Sequence, residues 1–214
     1  MNSKLFKNLS LNRYMLIKKL RIALTLAIFE TTTLIILYFT RDLNLILTAL
    51  SVGLIGSLAA ILIHNLLSKR FNLMSVNGEK IKFRYSLSIF ITIFLTVLFL
   101  SQNIVLYFIE FQNTVLGNFA LGLLSAFIAS SISLSFYNIQ PFKIILKGKK
   151  DIIIKKTNVL NTSLLISFYE AVILPIMIPL MQINFALAGF ASGLISGLLV
   201  TALYNNITVK VKWK

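Results

Sequence analysis

The chain has 214 residues, 57% hydrophobic and 13% charged, with a formal net charge of +15 and a mean hydropathy of +0.88. Soluble domains carry about 25% charged residues, so a water-soluble fold has too little polar surface to cover this much apolar side chain, 17 Phe included. There is no cysteine and His64 is the only histidine, which excludes disulfides, thiol catalysis, thiolate metal sites, and zinc or haem sites built on several histidines of one chain.

In chain order, residues 1–21 come first. Their stretch SKLFKNLSLNRYMLIKKL reads as a basic amphipathic helix lying on a membrane surface. Six apolar segments follow, each near the roughly 20 residues needed to cross a bilayer. The first, Ile22–Thr40, is too long for a signal-peptide core and has no small-residue cleavage site behind it, so it is expected to remain in the mature protein. The second is Leu43–Leu67, followed by FNLMSVNGEKIKFR, whose Asn-Gly is a hairpin signal. The third and fourth are Tyr85–Ile109 and Thr114–Tyr137, followed by PFKIILKGKKDIIIKK, two β-branched runs around Lys-Gly. The fifth and sixth are Thr162–Met181 and Ile183–Tyr204, and ITVKVKW then alternates with period two. The three polar stretches read either as a small cytoplasmic sheet or as amphipathic strands at the membrane surface.

Every basic residue except Arg41 falls before the first span, after the second, after the fourth or after the sixth. The positive-inside bias then places both termini in the cytoplasm of a cell-membrane protein. The basic excess is a topology signal, with attraction to anionic lipid at the cytoplasmic face as a secondary effect. No nucleic acid is expected as partner, because the charges flank spans and form no single patch with aromatics.

An internal repeat organises the spans. GLIGSLAAILIHN, from Gly53, matches GLISGLLVTALYN, from Gly193, 140 positions later, and the same offset pairs Asn44 with Asn184 and Asn65 with Asn205. AFIASSISLSFYN, from Ala126, is a middle copy at offset 73. Each even-numbered span carries small residues four apart: Ala49, Gly53 and Ser57; Gly122, Ala126 and Ser130; Gly189, Gly193 and Gly197. That spacing lets helix backbones approach closely where lipid supplies no hydrophobic drive. Each even span ends in an aromatic or His followed by Asn. The Asn residues are expected to cap helix C-termini, and His64, Tyr137 and Tyr204 to sit at the inner interface. The fold class is therefore an all-α integral membrane protein, a single domain of three parallel helical hairpins (approximately 22–84, 85–160 and 161–214) about a pseudo-threefold axis. In outline this plan is similar to that of mitochondrial carriers; their Pro-x-acidic-x-x-basic signature is absent, and no membership follows.

Two acidic residues lie within the apolar spans: Glu30 in the first and Glu170 in the fifth, again 140 apart. The ungapped offset of 73 pairs Glu30 with Asn103, and a gapped register pairs it with Ile91 instead. The ungapped register makes Glu30, Asn103 and Glu170 one polar layer at mid-depth. A charged group there costs about 2.5–3.5 kcal/mol on insertion scales, and no Lys or Arg stands at that depth to pair with it. Either the carboxyls carry protons, or they hold a cation, with Thr31, Thr32, Thr33, Gln102 and Asn103 as further oxygen donors. Pro175 and Pro179 interrupt the fifth span after Glu170 and free backbone carbonyls.

No nucleotide-binding glycine loop, paired metalloprotease histidines or aspartate-rich transferase motif is present, and neither enzymatic activity nor a cofactor is expected. The expected function is a small transporter or ion- or proton-conducting protein whose pathway includes Glu30, Thr33, Gln102, Asn103 and Glu170. The other reading is a non-catalytic scaffold subunit of a larger membrane complex, with partner subunits or further copies of the chain around it.

Overall fold

The computed structural model describes residues 2–71, 73, 75–76, 79–108, 114–140, 145–147, 150–152 and 158–206. There are six helices: α1 (Asn2–Thr40), α2 (Leu45–Phe71), α3 (Leu87–Phe108), α4 (Val115–Ile139), α5 (Val159–Met181) and α6 (Phe185–Asn206). The stretches Lys19–Thr40, Leu45–Phe71, Leu87–Tyr107, Val115–Ile139 and Val159–Met181 are long and apolar enough to cross a membrane, and α6 adds the shorter apolar run Phe185–Leu199. By length and composition this is a helical, multi-pass membrane protein. Helix α1 runs on through residues 2–21 without a break, so the basic segment is the first part of a spanning helix and not a separate surface helix. At 1.5 Å per residue its 39 residues reach about 58 Å, nearly twice a hydrocarbon core of roughly 30 Å.

The even helices begin alike. Asn44 Oδ1 accepts from Leu47 N at 2.9 Å, Thr114 Oγ1 from Gly117 N at 3.0 Å, and Asn184 Oδ1 from Leu187 N at 3.0 Å. Each is an N-cap that satisfies one of the helix's orphan amides. Within α2, Val52–Gly56 form a π-helical turn. It wedges α2 between two neighbours: Gly53 abuts Thr92 of α3, and Gly56 abuts Thr33 of α1.

The helices form a closed ring in chain order. Each packs on its sequence neighbours, and α6 closes the ring against α1. The seams are lined by small residues. Ala23, Ala27, Ala49, Ser57, Ala60, Ala126, Ala129, Ser130, Ser163, Ala171, Ser192 and Ser196 have no exposed surface. The buried seam serines donate to carbonyls of their own helix: Ser130 Oγ to Ala126 O, Ser167 Oγ to Ser163 O, Ser192 Oγ to Ala188 O and Ser196 Oγ to Ser192 O. A hydroxyl bonded in this way brings no unsatisfied group into the interface. Larger apolar side chains, among them Leu54, Leu62, Leu66, Ile104, Ile128 and Ile132, face outward and are exposed. An apolar exterior of this extent fits a lipid environment.

The all-helical expectation needs one amendment. Ser75–Val76, Glu79–Phe83, Ile145–Lys147 and Lys150–Ile152 (β1–β4) form a four-stranded antiparallel sheet in chain order. Ile81 pairs with Lys147 and Phe83 with Ile145, tying the α2–α3 connection to the α4–α5 connection. Backbone pairing between the two hairpins decides for a sheet over separate surface strands. The stretch 207–213 lies outside the described residues.

At this end Asn65 does not cap a helix terminus, because α2 continues to Phe71. Instead its Nδ2 donates to Phe83 O at 2.7 Å, and its Oδ1 accepts from Phe83 N at 2.9 Å. His64 is fully buried within the protein. Its ring centroid lies 4.7 Å from that of Phe83, and its Nε2 lies 3.4 Å from Ser68 Oγ. Tyr137 is likewise buried, edge-on to Phe90 at 6.1 Å. The side chains of Tyr204 and Asn205 lie outside the described residues.

Candidate functional site

The small-residue seams fix the height at which helices meet. A methyl group added at Gly189 of α6 would lie 2.7 Å from Glu30 O and 2.5 Å from Thr31 Cα. One added at Gly122 of α4 would lie 2.7 Å from Glu170 O and 2.9 Å from Ala171 Cα. Both acidic residues therefore sit where a glycine brings a neighbouring backbone to closest approach. Gly193 and Gly197 continue the α1–α6 seam against Ala27 and Ala23. Ala126 packs with Ala129 against Leu98 of α3. Each of the nine small residues singled out in the sequence (Ala49, Gly53, Ser57, Gly122, Ala126, Ser130, Gly189, Gly193 and Gly197) is buried in the structure.

Within the ring is a cavity of about 580 Å³. Its wall comes from α1, α3 and α5, with only Val52 of α2 and Leu121 of α4 reaching it. On α5 the lining runs from Thr162 to Met181, about 28 Å at 1.5 Å per residue. Most of the wall is Leu, Ile, Phe and Met. The polar lining consists of Glu30 and Thr33 from α1, Gln102 from α3, and Thr162, Tyr169 and Glu170 from α5. Among the described residues no lysine or arginine lines it.

Glu30 stands ten residues before the end of α1, about 15 Å at the helical rise, which is half the hydrocarbon thickness. Glu170 stands eleven before the end of α5. Tyr169 donates its hydroxyl to Glu30 Oε1 at 3.2 Å and so links α5 to α1 beside the cavity. Both carboxyl-bearing residues line the same cavity. Among the described residues Glu170 has no hydrogen-bond donor on its carboxyl. Of Thr31, Thr32 and Thr33, only Thr33 lines the cavity. The three hydroxyls donate to Ala27 O at 2.6 Å, Ile28 O at 2.7 Å and Phe29 O at 3.0 Å, carbonyls one turn back on their own helix.

Asn103 is not in this layer. It is exposed on the outer side of α3, where its Nδ2 donates to Phe99 O at 2.9 Å. The glycine contacts explain the error. Gly53 meets Thr92, whereas Gly193, its counterpart 140 positions on, meets Ala27. Thr92 therefore takes the place of Ala27, and Leu95, three residues on, takes the place of Glu30. Leu95 lines the cavity. Gln102 lies seven residues beyond Leu95, two near-complete turns on and on the same face. Asn103 lies one further, about 80° round the helix and facing outward. Ile91, the residue chosen by the gapped register, is one turn before Leu95 and also lines the cavity.

Tyr169 was missed because the sequence offers no reason to prefer it over six other tyrosines. Its adjacency to Glu170 was the only available signal. Among the described residues no three His, Asp or Glu side chains cluster as a metal site would need. Neither family models, curated proteins nor solved structures contain a match to this chain.

Proposed function

We propose that this protein moves a cation or protons across the membrane through the central cavity, with Glu30 and Glu170 as the groups that bind what is carried. The observation carrying this reading is the pair of carboxyls, from the first and fifth helices, on one mid-depth cavity with no basic residue among its described lining. Two carboxyls in an apolar setting persist only with protons or with a cation to offset the charge. Tyr169 holds Glu30 in place, and Gln102 adds an amide on the α3 wall.

In the same proposal the six helices are three parallel hairpins, with both termini and the basic sheet on the cytoplasmic side of a cell membrane and anionic lipid against them. Support comes from the matching glycine contacts at Glu30 and Glu170 and from the matching N-caps of the even helices. The protein is not an enzyme in this reading, and it needs no cofactor or nucleic acid.

The test is flux in proteoliposomes. Glu30→Gln and Glu170→Gln are each expected to abolish acid- or cation-driven flux while the purified proteins keep the wild-type elution profile and helical content. Wild-type flux in both variants overturns the proposal. A stable complex with other membrane proteins in mild detergent, without flux, favours a scaffold subunit instead.

A further inference from the structure

We infer that the cavity takes a lipophilic organic cation: a molecule with one cationic nitrogen or phosphorus centre and an aromatic or alkyl body. The inference rests on the proposed function and narrows its substrate class.

The argument is one of size and lining. A proton relay needs a file of polar groups and no volume. A bare hard cation such as Ca²⁺ needs six or more oxygen ligands gathered around one point. Here two carboxyls, one phenol, one amide and the hydroxyls of Thr33 and Thr162 are spread along a cavity of about 580 Å³, within the roughly 300–1,000 Å³ typical of small-molecule sites. The remaining wall asks for an apolar ligand body. Phe29, Phe94 and Phe99 put aromatic rings in the lining, and such rings attract organic cations as well as apolar groups. Met177 and Met181 offer unbranched, polarizable chains that adapt to ligands of differing shape. Charge selectivity comes from the lining itself. With two carboxyls and no basic residue among the described lining, an anion of the same shape meets repulsion, and a neutral isostere leaves a carboxyl without a counter-charge.

The measurement is equilibrium binding of radiolabelled tetraphenylphosphonium and of ethidium to the full-length protein in nanodiscs. The expected result is saturable binding of both, about one per chain, with at least a tenfold loss of affinity in the Glu30→Gln/Glu170→Gln double variant. Phe94→Ala is expected to weaken binding several-fold while leaving the elution profile unchanged. A hundredfold excess of potassium or tetramethylammonium is expected not to compete, because neither has a body to fill the cavity. Absence of saturable binding of both probes, unchanged affinity in the double variant, or equal competition by tetramethylammonium overturns the inference. The two failures separate cleanly. Glutamate-dependent flux of protons or small inorganic cations without probe binding overturns only the substrate class, whereas loss of both observations removes the transport reading as well.

Discussion

Gly189→Ala is the sharpest probe of the bundle. The added Cβ would lie 2.5 Å from Thr31 Cα and 2.7 Å from both Thr31 N and Glu30 O. All three are backbone atoms, so no side chain can rotate away. Carbon atoms rest about 3.5–4.0 Å apart, and α6 would have to move from α1 by about 1 Å. Overpacking of this kind costs about 1–3 kcal/mol, and the near-rigid obstacle places it at the upper end. Replacing Gly by Ala in a helix returns up to about 1 kcal/mol through propensity. The net expectation is a loss of about 2 kcal/mol, or about 4–8 °C in Tm for a chain of this size. Gly56→Ala is the internal control. Its Cβ would meet Thr33 Cα and Cγ2 at 3.3 Å, a gap that a shift of a few tenths of an ångström accommodates. That variant is expected to melt at or slightly above the wild-type temperature. Thermal unfolding in detergent, followed by circular dichroism, reads both. Equal melting temperatures for the two variants would refute the close α1–α6 seam and, with it, the height at which Glu30 is placed.

Asn65→Ala removes both hydrogen bonds to the Phe83 backbone and leaves that amide and carbonyl without their partner. A loss of about 1–3 kcal/mol is expected, with faster hydrogen exchange at the Phe83 amide than in wild type; unchanged exchange would show that the clamp is absent. Asn103→Ala removes an exposed side chain bonded only to its own helix. Flux and stability within error of wild type are expected, and loss of flux would return Asn103 to the pathway.

Much of the plan was legible in the residues. Segment lengths and the scarcity of charge set the class, because a bilayer imposes a length on any helix that crosses it. The stripe Gly189, Gly193 and Gly197 pointed to a close helix pair, because only missing side chains permit that approach. Glu30 and Glu170 stood out as the acidic residues within the apolar spans. The sequence also left the choice between a cytoplasmic sheet and surface strands open, since short β-branched runs suit both until a pairing partner is in place.

What tertiary structure alone decided was rotation and register. In a soluble helix, apolar periodicity marks the inward face. Here apolar residues point outward to lipid as well as inward, so the hydrophobic pattern does not distinguish the face of α3 bearing Gln102 from the face bearing Asn103. Contacts that choose between adjacent residues come from another helix: Gly53 against Thr92 sets the height of α3, and Tyr169 against Glu30 joins α5 to α1. His64 and Asn65 took their partners from Phe83, 19 and 18 positions away, because a strand folds back beneath the bundle. Composition determined that the chain enters a membrane and which of its residues are costly there. Only the ring of helices determined which of those residues meet, since meeting depends on interhelical packing that no single span encodes.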